Sequence, residues 1–303
     1  MNIGLYNLEP QIVNSAMMRV SQYHREQGDV VEKYNHLLNR EYDRIYAFSI
    51  FVFTDKSMVR KNMLCGGSGF DLKTKLPTEI EKCSYDWSLY PDCDFSLIWF
   101  SHGCIRKCPF CCVPQKEGSE YSTDPKNLNP NGKYIKVMDN NFFANSDWKS
   151  AIKQLQEWKQ PCDFQGVDAR LLNKEKCEIL LSLKHYKQIH IAWDNPRENL
   201  IPKLKEVIKY IKPYRLMCYV LIGYWSTEKE DLYRIEELEK LGIDQFVMPY
   251  NKRDPKQLNF SRYVNHKAIR NSVSWRDYKK SIRKNASPIP PDVKTSGILG
   301  GIL

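Results

Sequence analysis

Short apolar runs alternate with amphipathic stretches along the first third of the chain. Runs at 2–8, 30–34, 44–53 and 63–70 predict four buried strands. Apolar residues recur at helical spacing over 12–26, with Gly28 just beyond, and a short helix is predicted at 56–61. Strands alternating with helices predict an α/β fold, here a small doubly wound, Rossmann-like domain over residues 1–84.

A turn-rich linker is expected at 85–94, and a second series of strands and helices follows it. Apolar runs predict six strands, at 95–100, 133–139, 162–168, 188–194, 215–224 and 244–250. Helical patterns follow the later strands, at 147–159, 173–185, 198–211, 227–241 and from the sixth strand through residue 270. Six βα units predict a partial (β/α)6 TIM-like barrel over 95–270, with a basic C-terminal helix and a poorly ordered tail over 271–303.

Composition indicates the cellular compartment in which the protein is expected. The chain begins without a charged-then-apolar leader, and its longest apolar runs are far too short to span a bilayer. Ten cysteines in such a chain favour a reducing compartment, where thiols serve as ligands. We therefore expect a cytoplasmic protein with no membrane partner.

The net charge of +10 is concentrated near the C-terminus. Residues 251–303 hold twelve Lys or Arg and three Asp, a net charge of +9. Aromatic side chains at Phe260, Tyr263, Trp275 and Tyr278 lie among these charges. This mixture suits a phosphate backbone with stacked bases, and nucleic acid is one partner that it indicates. The alternative is a solvated basic face whose aromatic residues pack inward.

Cys104, Cys108 and Cys111 form C-x3-C-x2-C directly after the first strand of the second series. Thiolates are the ligands of iron–sulfur clusters, and three of them leave one iron of a cubane without a protein ligand. An open position of this kind can bind a substrate or cofactor. Zinc sites favour paired C-x2-C motifs, and no second pair follows here.

With Phe110 before the last cysteine, this motif resembles that of the radical S-adenosylmethionine (radical SAM) superfamily. The resemblance implies a [4Fe-4S] cluster that binds S-adenosyl-L-methionine and cleaves it reductively to a 5′-deoxyadenosyl radical, which then attacks a substrate. It also implies a one-electron reductant of the flavodoxin or ferredoxin type. The loop is similar to those of uncharacterised phage and bacterial members, which suggest no substrate.

Polar residues end several of the predicted barrel strands, where barrels hold their ligands. The resemblance implies that Phe110 lies beside the adenine and that the second-strand motif binds the methionine amine. Its position here is occupied by Asp139, Asn140 and Asn141 instead of the common Gly-Gly-Glu. We interpret Arg170 as a ligand of the cofactor carboxylate. The remaining candidates are Gln165 at a strand end, Asp168 for a ribose hydroxyl and Asp194 for cofactor or substrate.

The first domain resembles the cobalamin-binding-like domain of many radical SAM enzymes and the first domain of methylthiotransferases. The expected D-x-H-x-x-G loop is replaced by Asn7-Leu8-Glu9-Pro10, and the nearest histidines are His24 and His36. Cobalamin bound through a histidine is not expected, whereas cobalamin held without one stays open. Methylthiotransferases carry a second cluster, but we interpret Cys65, Cys83 and Cys93 as small buried hydrophobic residues.

Three functions remain open from the sequence. The first is a radical SAM enzyme that modifies a nucleic acid or nucleotide. The second is a radical SAM enzyme, cobalamin-dependent or not, that modifies a peptide or a small metabolite. The third is a non-catalytic iron–sulfur or zinc protein.

Overall fold

The computed structural model describes residues 1–38 and 40–285 and confirms a mixed α/β chain with parallel sheets. Its strands are β1 (Asn2–Asn7), β2 (Val30–Lys33), β3 (Arg44–Phe48), β4 (Leu64–Gly66), β5 (Phe95–Ile98), β6 (Ser101–His102), β7 (Tyr121–Ser122), β8 (Tyr134–Val137), β9 (Cys162–Phe164), β10 (Ile189–Ala192), β11 (Leu216–Ile222) and β12 (Asp244–Pro249). Its helices are α1 (Ser15–Glu26), α2 (Thr78–Glu81), α3 (Val113–Lys116), α4 (Trp148–Trp158), α5 (Lys174–Ser182), α6 (Ile201–Val207), α7 (Glu228–Lys240), α8 (Pro255–Asn265), α9 (Lys267–Ser272) and α10 (Trp275–Asn285). Among the described helices, none combines the length and apolar composition that a bilayer crossing requires. The predicted tail lies outside the described residues.

The described chain forms two compact units, one over Met1–Gln165 and one from Gly166 onward. The first unit contains a parallel sheet in the order β2-β1-β3-β4 and a parallel sheet in the order β5-β8-β9. The second contains a parallel sheet in the order β10-β11-β12. The strands predicted for the barrel thus form two three-stranded sheets, and their closure into one partial barrel stays a prediction.

Helix α1 covers one face of the N-terminal sheet. It begins at Ser15, three residues later than predicted, because the side chain of Asn14 caps it by accepting from the Met17 amide at 3.0 Å. The buried residues Met17, Met18 and Val20 of α1 belong to the same core cluster as Ile3 and Leu5 of β1. Burial of this apolar face holds the helix on the sheet.

A buried carboxylate at Glu9 shortens the third strand. The predicted strand reached residue 53, but β3 ends at Phe48 because Glu9 accepts from the amides of Ile50 and Phe51 at 3.1 and 3.3 Å. The helix predicted at 56–61 is absent, and turns occupy that described segment. The side chain of Lys56 donates to the carbonyls of Phe51, Val52 and Thr54 at 3.0 to 3.3 Å and so folds back onto the turn before this segment.

The predicted linker is turn-rich but well packed. Tyr85, Trp87 and Leu89 are buried and belong to the core cluster that includes α1 and β1. Asp86 accepts from the Ser21 hydroxyl at 2.6 Å and from the Arg25 guanidinium at 2.8 Å. The segment therefore contributes to the hydrophobic core of the first unit.

Helices α8 to α10 follow the last strand of the second unit. Trp275 is 9% exposed, and its ring lies 5.0 Å from that of Phe260 and 5.3 Å from that of Tyr263. Lys279 pairs with Glu228 at 2.6 Å, and Lys280 with Asp277 at 3.3 Å. Three aromatic residues of the basic segment therefore pack inward, and part of its charge is neutralised within the unit.

Candidate metal centre

The three motif cysteines lie on one closed loop in the first unit. Strands β6 and β7 pair in antiparallel fashion, with Ser101 opposite Ser122, and they bring together the two ends of residues 103–120. The short helix α3 lies inside the loop. The chain therefore leaves the exit of β5, presents the cysteines and returns before β8 begins.

The thiols within this loop influence one another. Cys104, Cys108 and Cys111 are half-buried, and all ten cysteines of the chain are reduced thiols. Burial, with smaller contributions from the neighbouring thiols of Cys112, Cys108 and Cys104, raises the pKa of Cys111 to about 11. Thiolates in such a cluster need a positive centre nearby to ionise together. The donor set therefore fits a cluster or metal of high positive charge.

The thiols do not converge on a single point. Within residues 1–38 and 40–285, no group of three or more His, Cys, Asp or Glu side chains is arranged to hold a metal ion. A cubane cluster binds each cysteine through a different iron, so its ligands stand further apart than those of one ion. The positions of Cys104, Cys108 and Cys111 as ligands stay a prediction.

Glu117 ties the cysteine loop together. One carboxylate oxygen accepts from the Gly103 amide at 2.8 Å and from the Asn140 side-chain amide at 2.7 Å. Nδ1 of His102 lies 3.6 Å from the same oxygen, beyond hydrogen-bond range, so the two amides are the firmer contacts. Burial raises the pKa of Glu117, but the interactions with His102 and Gly103 outweigh it and lower the pKa to about 2.

The backbone at the start of the loop requires glycine. Gly103 has φ of 74°, in the left-handed region, and a Cβ there would lie 2.1 Å from the Ser119 carbonyl oxygen. The next residue, Cys104, donates its amide to the Gly118 carbonyl at 3.4 Å. Close approach of the two ends thus fixes where the first cysteine leaves the sheet.

The structure brings the Asp139–Asn140–Asn141 motif to the base of this loop. Asp139 is 1% exposed and accepts from the Ser101 hydroxyl at 2.7 Å and from the Phe100 amide at 3.1 Å. Burial raises the pKa of Asp139 to about 6. Asn140 also donates to the Gly103 carbonyl at 3.1 Å. The first two residues of the motif therefore support the loop, and Asn141 is buried before a short 3-10 turn.

Two further candidates lie in the first unit. Phe110 is on the cysteine loop and is partly buried. Gln165 follows β9, and its backbone amide donates to the Val137 carbonyl at 2.9 Å. Its side chain reaches the Asp163 carbonyl at 3.5 Å, the limit of a hydrogen bond. Neither residue has a geometry that tests its predicted role.

The remaining candidates lie in the second unit. Arg170 donates to Asp168 at 2.7 Å and to Glu198 at 2.8 Å, so carboxylates of the protein occupy two edges of its guanidinium. Asp194 accepts from the Leu221 amide at 3.1 Å, and burial of its carboxylate raises its pKa to about 6.

A buried arginine that the sequence did not reveal organises these strand ends. Arg234 is fully buried and donates to the carbonyls of Trp193 and Leu221 at 2.7 and 3.0 Å. It also pairs with Asp231 at 2.5 Å. It joins the carboxyl ends of β10 and β11, where Asp194 lies, and therefore positions that carboxylate.

The cysteines considered for a second cluster lie at separate places in the first unit. Cys65, Cys83 and Cys93 are half-buried, less covered than predicted, because each lies on a short strand or loop near the surface. Burial nevertheless raises the pKa of each thiol. Their protonated state at neutral pH is consistent with a structural role.

Comparison with known proteins adds little to the geometry. No protein-family model matches the chain, and a search of curated proteins gives no match either. Among solved structures, the crystal structure of SuiB from Streptococcus suis bound to the precursor peptide SuiA is similar, at 16% sequence identity and a TM-score of 0.38. The match covers 63% of this chain and 46% of the SuiB chain, so it spans less than half of that protein. Similarity at this level does not assign a function.

Proposed function

We propose that the protein is a radical SAM enzyme. The observation that carries the proposal is the C-x3-C-x2-C motif on one loop, enclosed by β6 and β7 at the exit of β5. Three reduced thiols on a loop with fixed ends match the donor set of a cluster with one open iron. The Asp139–Asn140 pair at the base of the loop supports the same site.

The residues divide into ligands and supports. Cys104, Cys108 and Cys111 would hold a [4Fe-4S] cluster, with Phe110 beside the adenine of S-adenosyl-L-methionine. When bound there, such a cluster would supply one electron, received from a flavodoxin- or ferredoxin-type reductant, for the reductive cleavage of S-adenosyl-L-methionine to a 5′-deoxyadenosyl radical. Asp139 and Glu117 orient the loop at its base through their hydrogen bonds to Ser101 and Gly103.

The remaining cofactor candidates are proposed with the roles that the sequence gave them. Arg170 would bind the methionine carboxylate after exchanging a protein carboxylate for it. Asn141 and Gln165 would contact the cofactor, Asp168 a ribose hydroxyl, and Asp194 the cofactor or the substrate. These roles require the six strands of the two units to act as one partial barrel.

The N-terminal sheet supports the Rossmann-like interpretation, and the contacts of His24 argue against cobalamin bound through that histidine. Its order places β1 between β2 and β3, as in a doubly wound fold. Nδ1 of His24 contacts Asp29 at 2.7 Å and Nε2 contacts the Tyr46 hydroxyl at 3.0 Å, so both ring nitrogens are used. Cobalamin held without a histidine stays open. Ten reduced cysteines support a reducing, cytoplasmic location.

Anaerobic reconstitution of the full chain tests the proposed function. Iron and sulfide analysis after reconstitution should give about four of each per chain, as a cubane requires. Incubation with S-adenosyl-L-methionine and dithionite should then release 5′-deoxyadenosine. A chain that binds iron and sulfide but yields no 5′-deoxyadenosine under reduction would instead be a non-catalytic cluster protein, and one that prefers zinc would be a zinc protein.

Nucleic acid remains our proposal for the substrate class, and charge alone now supports it. Binding to single strands should weaken with salt at a log–log slope of about −0.7 per phosphate contacted.

Because Trp275 is buried, we expect Trp275→Ala to lower the unfolding free energy by about 3–5 kcal/mol and to leave the salt slope unchanged. The matched variant Arg276→Ala, on the exposed side of α10, should leave the unfolding free energy unchanged and make the salt slope less steep. No measurable binding of RNA or DNA at physiological salt would contradict the proposal. Arg283 and Lys284 belong to the same basic segment, and their side chains lie outside the described part of the chain.

A further inference from the structure

A cavity of about 280 Å³ opens beside the N-terminal sheet of the first unit. It begins at the carboxyl end of β2, where Tyr34 follows the strand and donates its amide to the Leu5 carbonyl at 2.8 Å. In open parallel sheets, ligands bind at the carboxyl ends of the strands. Its polar and aromatic lining consists of Tyr34, His36, Arg40, Tyr42, Arg60 and Asn62.

Every charged side chain that lines this cavity is basic. Arg40 pairs with Glu32, which lies outside the lining. Arg60 and His36 are exposed, and among the described residues neither has an acidic partner within ion-pair distance. Arg60 is thus a lining cation that no acidic side chain neutralises, and its guanidinium fork suits the oxygens of phosphate. Asn62 adds a neutral side-chain amide.

The inner wall of the cavity is aromatic and fixed by the sheet. The rings of Tyr34 and Tyr42 lie 5.6 Å apart, and Tyr34 also lies 5.6 Å from Tyr6 of β1. Gly4 of β1 leaves room for Tyr42, because a Cβ at that position would lie 3.1 Å from its ring. The wall therefore offers a rigid surface for the organic part of a ligand, beside the basic rim.

We propose that this cavity binds the phosphate monoester of a small molecule, with Arg60 and His36 as phosphate ligands. Its volume is close to the lower limit of small-molecule sites, about 300 Å³, and leaves room for an organic group beside the phosphate. A dinucleotide does not suit the site, because the turn after β1 lacks glycine and carries the acidic Glu9. The site is separate from the cysteine loop, so the proposal does not depend on radical chemistry.

Calorimetric titration of the full chain with ribose 5-phosphate, inorganic phosphate and ribose tests this site. Ribose 5-phosphate should bind saturably, inorganic phosphate about 10-fold more weakly, and ribose below detection, because the phosphate supplies the charge and the sugar adds contacts. Arg60→Gln should weaken the binding of ribose 5-phosphate by at least about 10-fold, the loss expected for a charge-assisted hydrogen bond.

Two further variants make the titration decisive. Lys75→Gln removes the same charge from an exposed position outside the lining and should change the affinity less than about twofold, since surface charges alone act weakly. Asn62→Asp places a negative charge in the lining and should abolish binding without loss of thermal stability. Equal losses in Arg60→Gln and Lys75→Gln would show nonspecific charge attraction, and no saturable binding at millimolar ribose 5-phosphate would also overturn the proposal.

Discussion

Alanine at Cys104, Cys108 or Cys111 is expected to remove the visible absorbance of the reconstituted cluster and to reduce 5′-deoxyadenosine release to background. Each substitution removes one of three protein ligands, and a cubane held by two thiolates is exposed to solvent at two irons. Mutation of residues that only support metal ligands typically lowers metal affinity or activity by about 10- to 100-fold. The loss of a ligand itself should therefore have a larger effect. Anaerobic absorbance spectra, iron analysis and product assay on each variant give the result.

Cys112 provides the matched control for this series. It is adjacent to Cys111, is half-buried to a similar degree and caps α3 through its backbone carbonyl, which accepts from the Gln115 and Lys116 amides. Alanine keeps that carbonyl, so Cys112→Ala should retain cluster and product within about twofold. A Cys112→Ala protein without a cluster, or a Cys104→Ala protein with a full cluster, would show that the ligand set is wrong.

Local apolar patterns predicted most of the strands and helices but not their ends. The strand at 244–250 and the helix at 227–241 were found within one residue, because apolar periodicity and a capping box at Thr227 mark them. The end of β3 at Phe48 depends on Glu9, which is 41 residues from Ile50 in sequence. A contact of that range leaves no mark in a local window, so the strand was predicted five residues too long.

In the candidate site, too, the sequence reveals local features but not contacts between distant residues. The cysteine spacing is readable in the sequence because all three residues are local to one loop. Arg234 was not found, since its partner carbonyl at Trp193 lies 41 residues away and a lone arginine on a helix is usually exposed. Trp275 was assigned to either stacking or packing, and only the rings of Phe260 and Tyr263 around it decide for packing.

Glu117→Ala is expected to loosen the base of the cysteine loop before any cluster is bound. Its carboxylate holds the Gly103 amide, 14 residues earlier, and the Asn140 side chain, 23 residues later. A hydrogen bond to a charged group contributes about 1.5–3 kcal/mol, so the Gly103 amide should exchange with deuterium about 10- to 100-fold faster in the apo-protein. Glu117→Gln keeps one acceptor oxygen and should give an intermediate rate.

Gln115→Ala is the control for this prediction, because Gln115 lies on the same helix α3 with its side chain exposed. It should leave the exchange of Gly103 unchanged. The looser loop of Glu117→Ala should also take up less iron and sulfide on reconstitution. Its three thiols are less ordered beforehand, so they lose more conformational entropy on binding than those of the unchanged protein. Unchanged exchange at Gly103 in Glu117→Ala would mean that the β6–β7 pair alone fixes the loop. Faster exchange with full iron uptake would mean that Glu117 orders the loop without positioning its thiols.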